Sequence, residues 1–175
     1  MSFNITPPPS EMEKRDEVLA KAYSNLIYFG RAFLPNDFLK KSESAPFHYE
    51  MGKKMIDTAP GARICNIIPR GHGKSVIAKA AIMHKLCFAA DDQQHFIAWV
   101  SEEQSQAIDH LKYIRSHFED NKMIRYYFGN MDGGSVGKRW TEKDLVTPKG
   151  DRVISKGTSQ RLRGRAEVDV RYTGI

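Results

Sequence analysis

The sequence ARICNIIPRGHGKS, residues 62–75, is the part of the chain from which the fold can be predicted. Residues 64–68 are an apolar run rich in β-branched side chains, which is typical of a buried strand. The residues that end this run and open an apolar pattern of helical spacing are Pro69, Gly71, Gly73, Lys74 and Ser75. A loop between strand and helix turns backbone N–H groups toward one point, where the helix dipole favours negative charge. The stretch therefore predicts a phosphate-binding site.

Two side chains of the loop carry the predicted chemistry. Lys74 would reach the outer phosphates of a nucleotide, and the Ser75 hydroxyl would bind the magnesium ion that bridges them. The match to the P-loop pattern G-x-x-x-x-G-K-S/T is incomplete, because Ile68 stands where the pattern has its first glycine. The alternative is a strand-to-helix turn in which the glycines only satisfy backbone geometry. The order of strand, break and helix favours the nucleotide.

Composition limits the class of protein. A chain of 175 residues with 41% hydrophobic residues can form one domain with its own core. No apolar run approaches the length of a membrane span, and the polar N-terminus does not resemble a signal peptide, so neither a membrane protein nor a secreted one is expected. Cys65 and Cys87 have neither the spacing of zinc ligands nor the density of a disulfide scaffold, which favours a reducing, intracellular setting.

The positive charge of the chain is unevenly placed. The formal net charge is +6, and residues 138–175 carry ten Lys/Arg against five Asp/Glu. A basic segment attracts polyanions such as nucleic acid or nucleotide through a salt-dependent electrostatic term. The alternative is a solvated surface without a partner.

Before the loop the sequence predicts two helices. Ser10 and Glu13 have the spacing of a capping box, and apolar residues then recur at helical spacing until Pro35 ends the pattern. A shorter helix follows Pro46. Its apolar face is formed by Phe47, Met51 and Met55.

The shorter helix also supplies candidates for contact with a nucleotide base. It comes immediately before the predicted strand and loop, so it is placed to pack near an adenine. The candidates are Phe47, His48 and Tyr49. The alternative is that Phe47 belongs to the core and that His48 and Tyr49 lie on the surface.

After the loop, helices and strands alternate. Residues 95–100 have the composition of a buried strand, and residues 144–147 and 152–156 predict two further strands joined by a turn. The helix after the first of these begins with a predicted capping box and continues with a core stripe: Ser101, Gln104, Ala107, Ile108, Leu111, Ile114 and Phe118. Alternating strands and helices predict a parallel sheet with crossover connections.

Four segments together resemble a known family more specifically than the loop alone. They are Leu34-Pro35, Pro46-Phe47-His48, the loop PRGHGKS at 69–75 and GTSQRLRG at 157–164. The combination resembles the ATPase domain of the large terminase subunit of tailed bacteriophages, over nearly the whole chain after the first thirty or so residues. In that family the loop often lacks its first glycine and carries an arginine, so Ile68 and Arg70 fit the family.

The resemblance implies a fold, an activity and a set of partners. The implied fold is α/β, a P-loop NTPase of the additional-strand type with a parallel sheet flanked by helices, incomplete at its C-terminus. Residues 1–35 would be an N-terminal extension with an accessory helix, and residues 36–175 an ATPase domain truncated before Walker B. ATP and Mg²⁺ would power translocation of double-stranded DNA into a procapsid. The partners would be the portal protein, the small terminase subunit and other copies in a ring, in the host cytoplasm.

The resemblance also assigns roles to individual residues. Gly71, His72, Gly73, Lys74 and Ser75 would hold phosphate and magnesium, and Lys74 would act in catalysis with Arg70. The position of His48 lies near the adenine-contacting motif of the family, where glutamine is commoner. A basic segment before the Walker B strand would either stabilise the phosphoryl-transfer charge or touch DNA. Its arginines are Arg161, Arg163 and Arg165.

A Walker B strand needs an apolar run that ends in an aspartate. Residues 168–175 look like the start of such a run, and Asp169 stands at its wrong end. The expected protein is thus the ATP-binding part of a packaging motor, an ATPase as the whole parent protein. Two rivals remain, a helicase-like P-loop DNA motor and a module that binds nucleotide or nucleic acid without turnover.

Overall fold

The computed structural model describes residues 9–38, 43–58 and 63–159, with side chains from Lys14 onward. The chain begins with helices α1 (Pro9–Ser24) and α2 (Leu26–Phe33), followed by the single turn α3 (Pro35–Phe38). The sequence predicted one helix up to Pro35. This prediction is wrong, because the helix is interrupted at Asn25. The Asn25 side chain accepts a hydrogen bond from the backbone N–H of Tyr28 at 3.0 Å and so caps a new helix. The predicted Ser10–Glu13 capping box lies outside the described side chains.

The two helices on either side of the loop form as predicted. Helix α4 spans Pro46–Ile56 and begins with a proline, whose fixed φ suits the first helical position. Met51 and Met55 of α4 are buried. Helix α5 spans Lys74–Cys87, and its buried residues extend over more than one side of the helix: Ile77, Ala80, Ala81, Ile82, Met83, His84, Leu86 and Cys87.

The predicted strand at 64–68 is wrong. Residues 63–69 are neither helix nor strand, and within the described ranges no strand pairs with them. Ile67 is 92% exposed and Ile64 is 41% exposed, so the β-branched side chains of this run are not buried as the prediction required. β propensity reflects packing on a paired, half-buried surface, and in the described part of the chain this run has no such surface.

Within the described residues the sheet has three strands: β1 (Phe96–Ser101), β2 (Asp144–Val146) and β3 (Arg152–Gly157). Their order is β1-β3-β2. Strand β1 runs parallel to β3, with Phe96 opposite Arg152, whereas the parallel neighbour predicted for it, residues 64–68, is not a strand. Strand β2 is antiparallel to β3, because the connection between them is a short turn and not a crossover. The sheet is therefore mixed, not wholly parallel.

The strand β1 leads into helices α6 (Gln104–Asp120) and α7 (Lys122–Phe128). The core stripe predicted for α6 is confirmed, except that Ile108 is only half-buried. The predicted cap at Ser101 is wrong, because Ser101 is the last residue of β1 and Glu103 stands at the N-cap of α6. Helix α7 was not predicted, and the Asn121 side chain caps it. A short 3-10 helix, Gly133–Val136, follows.

One hydrophobic core joins the helices and the sheet. Helix α2 packs against α4 and α5, and α6 packs against β1 and β3. An aromatic group fills the space between α2, α5 and α7: Phe29, Phe33, His84, Phe88 and Phe128. The fold is mixed α/β, a small three-stranded sheet flanked by helices. Among the described helices, none is both long and apolar enough to cross a bilayer.

Candidate functional site

The loop before α5 is built on two glycines with left-handed backbone. Gly71 has φ 82° and Gly73 has φ 73°, a region that other residues rarely adopt. Gly73 is the N-cap of α5, and its carbonyl accepts the first helical hydrogen bond from Ile77 N–H at 3.0 Å. The two glycines therefore allow the chain to enter α5 through a compact turn.

The N-terminus of α5 presents unsatisfied backbone donors. The first four N–H groups of a helix have no partner within it, and a Ser, Thr, Asp or Asn cap usually takes one or two of them. Gly73 has no side chain, and no side-chain cap bond is made at this end of α5. The first turn of α5 lines an open cavity. Its amides, together with the dipole, favour an anion there.

The side chain of Lys74 lies across the loop. Its ammonium donates hydrogen bonds to the carbonyl of Ile68 and, at 2.7 Å, to the carbonyl of Pro69. These two bonds hold the charge beside the loop backbone. Within the described part of the chain the ammonium makes these two hydrogen bonds, and its third N–H could donate to a ligand. Ser75, the second residue of α5, is exposed.

His48 ties the start of α4 to the loop. Its Nδ1 accepts a hydrogen bond from the backbone N–H of Ala45 at 3.1 Å, so its Nε2 carries the proton and donates to the carbonyl of His72 at 3.0 Å. The Phe47 ring lies 4.1 Å from the His48 ring, centroid to centroid. Both nitrogens of His48 are thus engaged by backbone. Contact with a base through this ring would require one of these bonds to break.

The loop and the start of α4 form the two walls of one open cavity of about 740 Å³. This volume falls within the range typical of small-molecule sites. One wall is the loop with the first turn of α5: Arg70, Gly71, His72, Gly73, Lys74, Ser75, Val76 and Ile77. The other comes from α2, α3 and the start of α4: Ile27, Asn36, Asp37, Phe38, Glu43, Ser44, Ala45, Phe47 and His48. Tyr49 is 39% exposed and does not line the cavity.

The sequence analysis did not single out two acids of the second wall. Asp37 and Glu43 bring two acids to the cavity, and they lie in a stretch that carries no recognisable motif. The hydroxyl of Tyr113 on α6 donates a hydrogen bond to the Asp37 carboxylate, and burial together with this bond raises the pKa of Tyr113. Lys79 of α5 stands 3.6 Å over the Tyr113 ring, and burial lowers its pKa. Because Arg70 and Lys74 lie in the opposite wall, the cavity is lined by both signs of charge.

Two acids of the β2–β3 hairpin make structural contacts. Asp144 pairs with Arg152 on the neighbouring strand. The buried Asp151 accepts a hydrogen bond from the backbone N–H of His95 at 2.8 Å and another from the Thr147 hydroxyl at 3.2 Å. Neither lines the cavity. Among the described residues, no three His, Cys, Asp or Glu side chains are grouped as metal ligands.

The structure brings most of the predicted site residues together. The loop residues, Phe47 and His48 share the cavity. The predicted Arg161, Arg163 and Arg165 lie outside the described residues, as does Asp169. No protein family matches the chain. Comparisons with curated proteins and with solved structures found no similar protein either.

Proposed function

We propose that this chain binds ATP with Mg²⁺ in the cavity between the loop and the start of α4, as the ATP-binding part of a DNA-packaging motor. The observation that carries the nucleotide assignment is the loop itself. Two left-handed glycines, an uncapped helix N-terminus and the Lys74 ammonium converge on one cavity. Backbone donors and a lysine in this arrangement match a polyphosphate chain.

The residues present fit the proposed ligands. The amides at the start of α5 and the Lys74 ammonium would bind phosphate oxygens, and Arg70, exposed in the cavity wall, adds a second positive charge. The Ser75 hydroxyl is a hard oxygen ligand of the kind that Mg²⁺ accepts, alongside phosphate and water. Bound Mg²⁺ would neutralise charge on the phosphates. Phe47 offers a half-buried ring in the opposite wall, where a base could pack.

The packaging role rests on the resemblance and on charge. The four segments that resemble the large terminase subunit include the loop, and the basic stretch 138–175 suits a polyanion such as double-stranded DNA. In such a motor the chain would act in a ring of copies with the portal protein and the small terminase subunit, in the host cytoplasm. A helicase-like motor shares the ATP site and differs in its partners. A non-catalytic binding module would bind ATP without turnover.

Substitution of Lys74 tests the nucleotide site. We expect Lys74→Ala to lower the affinity for magnesium ATP at least tenfold, because a charge-assisted hydrogen bond to phosphate is worth about 1.5–3 kcal/mol. Isothermal titration calorimetry of ATP into both proteins measures the loss. Lys53→Ala, which removes an exposed lysine of α4 outside the cavity, is the matched control. Equal affinity in the wild type and Lys74→Ala would overturn the proposal.

Substitution of three arginines tests the DNA partner separately. The variant that carries Arg161→Gln, Arg163→Gln and Arg165→Gln should bind double-stranded DNA more weakly and with a shallower salt dependence, because fewer counterions are released. Its ATP affinity should stay that of the wild type if these arginines act on DNA. Unchanged DNA binding at several salt concentrations would count against a DNA role for this segment.

A further inference from the structure

We propose that His48 is a positioning residue that fixes the orientation of the His72–Gly73 peptide, so that the Gly73 amide stays available to bind phosphate. The inference rests on the proposed polyphosphate site and assigns His48 to the loop in place of the nucleobase. It follows from four atoms whose contacts are defined: the two ring nitrogens of His48, the Ala45 amide and the His72 carbonyl.

The hydrogen bond to the His72 carbonyl also sets the direction of the Gly73 N–H, which is the other end of the same peptide. The carbonyl of His72 accepts from His48 Nε2 at 3.0 Å. In a trans peptide the C=O and the following N–H point in opposite directions. All peptide bonds of the described residues are trans. The N–H of Gly73 therefore points away from the His48 imidazole. Among the described residues, no backbone carbonyl accepts a hydrogen bond from it.

This peptide needs such a restraint because its second residue is glycine, whose φ can change sign when the peptide flips. Gly71 and Gly73 have φ values of 82° and 73°, but glycine adopts negative φ about as readily. A flip of the His72–Gly73 peptide would replace an amide donor with a carbonyl oxygen on the phosphate side. The loop would then repel the anion that it should bind. The His48 bond makes the flipped arrangement less favourable by the value of one hydrogen bond.

A second imidazole restrains the preceding turn in the same way. Nδ1 of His72 lies 2.9 Å from the carbonyl of Arg70, and it can only donate to this acceptor. The Gly71 N–H, on the same peptide as that carbonyl, therefore points away from the His72 ring. The two glycine amides of the loop are thus each fixed through the carbonyl that precedes them. His48 provides the restraint from outside the loop, through α4.

The anchoring of His48 makes it suited to this role. Its Nδ1 accepts from the Ala45 N–H at the start of α4, which selects the tautomer with the proton on Nε2. The Phe47 ring, 4.1 Å away, packs against the imidazole. A side chain held at both nitrogens has a defined orientation toward the loop backbone.

The experiment compares two ligands and three variants. Magnesium tripolyphosphate has the phosphates of ATP and no base. Loss of a base contact would therefore weaken the binding of ATP alone, whereas loss of a loop contact would weaken the binding of both ligands. His48→Leu removes both hydrogen bonds. His48→Asn retains an acceptor near the Ala45 N–H but is too short to reach His72. This variant therefore distinguishes the loss of the loop contact from a loss of stability at the start of α4. Tyr49→Leu, the exposed neighbour outside the cavity, is the control.

We expect His48→Leu and His48→Asn to bind both ligands about tenfold more weakly, by the same factor for each ligand, as for the loss of one hydrogen bond. Tyr49→Leu should match the wild type. A loss confined to ATP would overturn the inference and assign His48 to the base. Wild-type affinity in both His48 variants would also overturn it, while leaving the ATP site in place. Absence of binding by the wild type to either ligand would overturn the proposed function and this inference with it.

Discussion

The carboxylate of Asp144 accepts two parallel hydrogen bonds from the guanidinium of Arg152, with Nε–Oδ1 at 2.8 Å and Nη2–Oδ2 at 2.7 Å. Arg139 adds a third at 3.0 Å. Burial alone would raise the pKa of Asp144, but the bonds from Arg152 and Arg139 outweigh it and hold the pKa below its usual value. Asp144 is on β2 and Arg152 on β3, so the pair fastens the edge strand to the sheet.

Removal of this charge should destabilise the sheet. In Asp144→Asn, the largely buried Arg152 guanidinium, at 9% side-chain exposure, loses the negative charge of Asp144. The loss of one partner of a buried pair costs about 3 kcal/mol, and we expect a decrease of that order in the free energy of unfolding. Urea unfolding measures it. Arg139→Gln is the control, since Arg139 is 53% exposed and an exposed pair contributes less than about 1 kcal/mol. Equal effects of the two variants would contradict the prediction.

Four histidines should make the protein less stable in mild acid. Burial lowers the pKa of each of them: His84, His95, His110 and His117. Below pH 6.5 the unfolded chain binds protons that the folded chain resists, so the free energy of unfolding decreases as the pH falls. Above pH 6.5 both states are neutral at these groups and the effect disappears.

His84 allows this prediction to be tested at one site. It is 5% exposed, and its Nε2 donates to the carbonyls of Ala22 and Tyr23 at 3.1 and 3.0 Å, which attaches α5 to the end of α1. We expect His84→Gln to lose less stability than the wild type between pH 7.5 and 5.5, although it is less stable at both. Urea unfolding at several pH values gives the slopes. A free energy of unfolding that increases toward pH 5.5 would contradict the predicted direction of the pH dependence.

The fold could be predicted where local signals and packing agree. Helices α4 and α5, the strand β1 and the β2–β3 hairpin follow from periodicity, proline and turn residues. The prediction failed where the same residues are compatible with two different local structures. Asn25 is compatible with a helix interior until its side chain caps α2, and residues 64–68 have strand composition without a paired neighbour among the described strands.

The site could be predicted only for the part that has a motif. The loop from Arg70 to Ser75 and the nearby Phe47 and His48 were candidates from sequence, and they share one cavity. Asp37 and Glu43 could not be found, because single acids in a polar stretch carry no spacing signal. The contact between His48 and His72 spans 24 residues, and only the fold brings the two together.

Thiol labelling should report the exposed state of the segment before the loop. Cys65 is exposed, whereas Cys87 is buried and burial raises its pKa. Because the thiolate is the reactive form, we expect a maleimide to modify Cys65 rapidly and Cys87 only on unfolding. Mass spectrometry of the digested protein locates the label. Slow labelling of both cysteines would indicate that the 63–69 segment is covered in solution.

We expect the chain to bind ATP but to hydrolyse it very slowly or not at all. Catalysis of phosphoryl transfer consists largely of positioning and charge stabilisation, and it needs a carboxylate that orders Mg²⁺ or the attacking water. Within the described residues, Asp144 and Asp151 are bound to other groups. The acids that line the cavity are Asp37, which accepts a hydrogen bond from Tyr113, and Glu43. Binding and chemistry should therefore separate.

Phosphate release with magnesium, with and without double-stranded DNA, measures the turnover beside the calorimetric affinity. A turnover number of about 1–10 s⁻¹, which is common among enzymes, would contradict the prediction. In that case Asp37→Asn and Glu43→Gln identify the acid: the variant that loses turnover while it retains ATP affinity contains the catalytic carboxylate. If both variants keep turnover, the carboxylate lies outside the cavity wall formed by α3 and the start of α4. Lys74→Ala sets the background, because it removes the proposed phosphate contact and leaves both acids unchanged.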